Sequence, residues 1–128
     1  MKIVHVPILT EEYKVIVVIG TNEELAKYAF KNCKGRTYGQ TLELVMLHRG
    51  TTWDRLPEHH PVITVNGDIP WNDALATLAH EACHAVGMIQ QHLGLRDEIG
   101  GEFLAHGIGS VLRHCIDKLK ITPPKKTK

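Results

Sequence analysis

The sequence predicts a small α+β protein: an N-terminal sheet with one helix, followed by two long helices. Three observations predict this. The first half holds runs of β-branched residues bounded by turn formers, the clearest being residues 13–19, YKVIVVI. A capping-box tetrad, Thr21-Asn22-Glu23-Glu24, interrupts those runs. From Asn72 onward, apolar residues recur at helical spacing almost to Lys120, with a break at Gly94. Strands gathered first and helices gathered afterwards indicate a segregated α+β layout.

Each element has a local reason. Residues 3–9 are apolar but contain Pro7, which cannot donate to a ladder, so they predict an edge or irregular strand. Residues 13–19 are almost continuously apolar, as in a strand covered on both faces. Gly20 stops that strand. Thr21 at N-cap with Glu24 at N3 then starts a helix over 22–32, with Leu25, Tyr28 and Ala29 facing inward and Lys34-Gly35 closing it. Residues 41–47, TLELVML, predict a further strand, and 62–66 a shorter one ended by the turn formers Asn66-Gly67-Asp68. The next helix begins at Asn72 or Asp73, both good N-caps, and runs to Leu93 before Gly94. The last runs from Asp97 to Lys120 and stops at Thr122-Pro123. Gly100, Gly101, Gly107 and Gly109 weaken its propensity, so packing must hold its first half.

At 128 residues the chain predicts one domain, 1–121, with 122–128 as a basic, disordered tail. Hydrophobic residues make up 43%, ordinary for a globular protein. Lys plus Arg number 15 and Asp plus Glu 14, so the net charge of +1 argues against a dedicated nucleic-acid binder. No apolar run approaches the roughly 20 residues of a membrane span, and the start lacks a signal-peptide pattern. Cys33, Cys83 and Cys115 are odd in number and without CxxC spacing, which suits reduced thiols in a cytoplasm. Cys83 is expected to be buried or half-buried.

Nine histidines in so short a chain hint at metal chemistry, and their spacing says where. Residues 80–84 read His80-Glu81-Ala82-Cys83-His84, an HExxH motif. On a helix the two histidines lie about 40° apart and one turn apart, so both imidazoles can reach one metal ion. Glu81 would then stand beside a metal-activated water as general base, later handing the proton to a leaving amine. Helical phase supports the motif. Measured from His80, Leu75, Leu78, Ala82, Ala85, Val86, Ile89 and Leu93 fall between about 140° and 240°, a core face opposite the histidines.

Several residues compete to be the third ligand. The extended pattern HExxHxxGxxH matches through Gly87 but has Gln90 where its last histidine belongs. His92 lies about 80° round and some 12 Å along the axis from His84, better suited to a surface or capping role. Glu98 and Glu102 follow the Gly94 turn on a helix that can return antiparallel, and periodicity does not separate them. Either could instead be a solvated acid near a helix N-terminus.

HEACHA followed by Glu102-Phe103-Leu104-Ala105-His106 resembles the small HExxH proteins of phage and prophage genomes, in the minigluzincin group of zincins. The segment Thr77 to Val111 carries the likeness. The resemblance implies a zincin-like fold, Zn2+ held by His80, His84 and Glu102, Glu81 as base, and a peptide or protein substrate. If phage-encoded, the protein would work in a bacterial cytoplasm. His106 stands where Tyr is expected; it could touch the bound substrate or orient a ligand. In such folds the strand before the active helix often lines the cleft, which here would be residues 62–66, open to an extended peptide.

His59 and His60 precede that strand and could bind substrate or an oxyanion. His5, His48 and His114 have no interpretable spacing, and Trp53 and Trp71 are expected as anchors in core or loops. Two functions follow: a zinc peptidase, or an inactive binding module whose helix pair is clipped by zinc and which acts on a host or phage protein. Glu81 favours the enzyme, because a clip needs ligands alone.

Overall fold

The computed structural model describes residues 1–8, 10–33, 35–54, 60–95 and 97–119, the side chains of 97–100 aside. The elements are β1 (Lys2–Ile8), β2 (Thr10–Gly20), α1 (Asn22–Asn32), α2 (Tyr38–Leu47), β3 (Gly50–Trp53), β4 (Val62–Asn66), α3 (Trp71–Leu93) and α4 (Asp97–Leu119). The α+β class therefore holds, with four helices among the described residues where three were expected. The expected tail, 122–128, lies outside the described residues.

The strands form one sheet in the order β1-β2-β4-β3. β1 pairs antiparallel with β2, β2 parallel with β4, and β3 antiparallel with β4. β1 is an edge, as Pro7 requires, and its register shifts at Pro7/Ile8. β2 is covered on both faces, which explains its unbroken apolar run. Val15 and Val17 join the core beneath α3 and α4, whereas Ile16 and Val18 join a second core under α1 and α2. The molecule is thus a helical layer on each side of a four-stranded sheet.

Residues 41–47 are helical, correcting the expected strand. Thr37 caps α2: its hydroxyl accepts from the Gln40 N–H at 3.2 Å, and the Gln40 side chain accepts from the Thr37 N–H at 3.0 Å. Thr41 and Val45, four apart, face inward, while Met46 and Leu47 stay 62% and 69% exposed. The apolar run misleads because Leu and Met suit either state, and the deciding cap lies upstream of it. α1 forms as expected on the capping box of Thr21 and Glu24.

Residues 62–66 are a strand, but an interior one, with β2 on one side and β3 on the other. Its backbone groups are already paired, so it cannot receive a peptide. The edge on that side is β3, whose four residues, Gly-Thr-Thr-Trp, were too few to stand out in the sequence.

α3 starts at Trp71 after Pro70, with no side-chain cap; the expected caps Asn72 and Asp73 lie inside it. It ends at Gly94, whose φ of +69° is the left-handed conformation that glycine adopts without steric cost. Leu78, Ala82, Ala85, Val86 and Ile89 are buried, matching the apolar arc read from helical phase. A fully buried Leu78 or Ile89 contributes about 1.5–3 kcal/mol of transfer free energy. α4 turns back along α3, and a side chain at Gly107 would collide with Val86, so the helices close tightly there. Among the described residues no helix is long and apolar enough to cross a membrane.

Candidate active site

β3 runs close against α3, and local chemistry explains why. A β-carbon on Gly50 would strike the Thr77 methyl and come within 3.1 Å of Glu81 Cγ, so only glycine lets the strand approach. Arg49 Nη1 pairs with Asp73 Oδ2 at 2.9 Å, tying the start of β3 to the first turn of α3. Two residues on, the Thr52 hydroxyl lies 3.1 Å from both the main-chain carbonyl and Oε1 of Glu81, and donates its single proton between them.

On α3, His80 and His84 are exposed, with ring centroids 5.0 Å apart and planes at 77°. Glu81 is 7% exposed, with its carboxylate turned to β3. All three line an open cleft of about 960 Å³ bounded by α3, β3, the C-terminal end of α2 and Arg36. The opposite wall carries His48, Arg49 and Trp53. Trp53 is buried, its indole N–H donating to Thr64 Oγ1 at 2.9 Å, and the Arg36 guanidinium lies 5.5 Å from its ring centroid.

Helical spacing in the sequence thus brings His80, Glu81 and His84 to one cavity. It does not bring Glu102 or His106 there. Both are exposed on α4, and neither lines the cleft. α4 meets α3 at Val86, about 140° round the helix from the direction midway between the two histidines at 100° per residue. The returning helix therefore lies behind α3. Among the described residues no three His, Cys, Asp or Glu side chains are disposed to hold a metal ion. His59 lies outside the described residues, as does the side chain of Glu98. His60 is half-buried just before β4 and does not line the cleft, its Nδ1 accepting from the Lys14 N–H of β2 at 3.3 Å. His92 is exposed with its ring 6.3 Å from that of Tyr13, consistent with the surface role.

Cys83 is exposed and lines the cleft, against the expectation of burial. Its direction, about 60° beyond the core arc, puts it on the flank that β3 leaves open. His48 and Arg36 also reach the cleft without having been singled out. Neither has a spacing signal to the motif, because a helix end and a loop deliver them through tertiary packing. Of the two tryptophans, Trp53 is the anchor, and Trp71 is 39% exposed.

Compared with protein-family models, curated proteins and solved structures, the chain finds no match.

Proposed function

We propose that the protein is a zinc-dependent peptidase that hydrolyses an amide bond in the cleft between α3 and β3, with Glu81 as general base. One observation carries this: His80, Glu81 and His84 open onto the same cavity, next to a sheet edge. The donors fit zinc in kind, two imidazoles one turn apart on a rigid helix. His80 and His84 would hold the ion, and no third protein ligand is assigned among the described residues. Bound zinc would supply a Lewis acid that polarises the scissile carbonyl and eases ionisation of water.

The chain's own residues do the rest. Thr52 holds Glu81 Oε1, leaving Oε2 to take a proton from the attacking water and deliver it to the leaving amine. Burial beneath β3 keeps the carboxylate from swinging into solvent. β3 is the sheet edge that runs along the cleft, so an extended substrate adds to it, not to β4. A metal clip joining α3 to α4 is not favoured, because those helices close on apolar contacts around Val86 and Gly107. No disulfide forms among the described residues, which suits a reducing cytoplasm.

The test is zinc content together with hydrolysis of a mixed peptide library. The wild type should carry about one zinc per chain and cleave. His80→Ala and His84→Ala should lose the metal, and Glu102→Ala should keep it. Glu81→Gln should keep zinc and lose hydrolysis by about 10²–10⁴-fold. A zinc-free wild type, or undiminished cleavage by Glu81→Gln, would sink the reading.

A further inference from the structure

We propose that Arg36, lying over the Trp53 ring, forms a carboxylate-binding subsite in the cleft, so that the preferred peptide is acidic near its cleavage point or ends there in a free carboxylate. The proposal deepens the peptidase reading and rests on it for the occupant being a peptide.

Charge in the cleft is lopsided although the chain is nearly neutral. Among the described residues its lining holds two guanidiniums, Arg36 and Arg49, and three imidazoles, against one carboxylate, Glu81. Arg49 already answers to Asp73, and Glu81 to Thr52. Arg36 has no ion pair among the described residues. Its guanidinium lies over the Trp53 ring at 5.5 Å, and Trp53 is itself fixed by burial and by its bond to Thr64. A guanidinium attracted to the face of a fixed indole is held near one place while its N–H groups remain available to bind. Those groups form a fork that matches a planar carboxylate with two parallel hydrogen bonds. Trp53 is the last residue of β3, so a peptide added to this edge passes Arg36 as it leaves the strand. The nearly neutral surface gives no comparable attraction for a polyanion, which favours a single carboxylate over nucleic acid.

The experiment measures affinity without turnover. Three hexapeptides are titrated by calorimetry into Glu81→Gln protein as purified. One is acetylated and amidated with a central glutamate; the second is its glutamine twin; the third is the twin with a free C-terminal carboxylate. At least one carboxylate peptide should bind about tenfold tighter than the neutral twin, and which one does identifies the source of the carboxylate. That margin should fall to about twofold or less with Arg36→Gln added, and be partly kept with Arg36→Lys, which retains charge but not the fork. Arg36 is exposed, so neither change burdens the core. Equal affinities, no binding by any peptide, or a margin that survives Arg36→Gln would overturn the subsite. The two readings fail separately. A wild type that cleaves nothing leaves these affinities to be compared, and equal affinities leave hydrolysis untouched.

Discussion

Glu81 is the one acid among the described cleft-lining residues, and a single hydroxyl holds its carboxylate. Thr52 reaches both its carbonyl and its carboxylate, so strand and helix are joined at the residue assigned the proton transfer. Thr52→Val keeps the shape and removes the donor. Its expected effect is a fall in kcat of about tenfold with KM and zinc content little changed, read from steady-state kinetics and metal analysis. An unchanged kcat would show that burial alone orients Glu81. The motif residues were legible in the sequence because helical phase is a local property. Thr52, 29 positions away from Glu81, has no local signature. Cys83 shows the same limit: the sequence suggested a buried or half-buried thiol, and only the position of β3 made it part of an open cleft wall.

At the scale of elements, the approach of β3 to α3 depends on Gly50. Its replacement by alanine would drive a methyl against Thr77, a β-branched side chain with little freedom to yield. Gly50→Ala is expected to destabilise by about 1–3 kcal/mol in urea unfolding. Gly87 is the contrast, also on the cleft but with nothing near its would-be β-carbon. Gly87→Ala should stabilise by about 0.5–1 kcal/mol, as in any open helix interior. Two glycines of one cleft should thus respond with opposite signs. Most elements could be read from the chain, since the Thr21–Glu24 capping box, Gly94 and the apolar arc of α3 all act within a few residues. α2 could not, because TLELVML suits helix or strand until its upstream cap is recognised. β4 was legible as a strand but not as an interior one. Strand order is a matter of long-range pairing, and a five-residue run carries no record of its neighbours.

Across the whole molecule, burial sets how stability responds to pH. Cys115 lies in the core between α4, α3 and the sheet, and that burial raises its thiol pKa from 9.0 to about 12. The folded state keeps the proton while the unfolded chain releases it above pH 9, so its contribution is complete below that pH and is lost on rising toward 12. Stability should therefore fall between those limits by up to about 1.4 kcal/mol per pH unit from this residue. Cys115→Ala should show a shallower decline than the wild type in urea melts taken at successive pH values. Parallel slopes would place the alkaline loss elsewhere.

The sequence by itself determined the α+β class, the two terminal helices, the apolar face of α3 and the alignment of His80 with His84. Each follows from spacing along one segment, where backbone geometry converts residue interval directly into direction. The tertiary structure alone decided which strand borders the cleft, which residues face the histidines across it, and on which side of α3 the last helix returns. Val86 and Gly107 close that helix pair behind the motif, so Glu102 is carried away from it. Arg36, His48, Thr52 and Trp53 come in from the other wall. These placements arise from burying two faces of one sheet at once, a constraint shared by the whole chain and not written in any single segment.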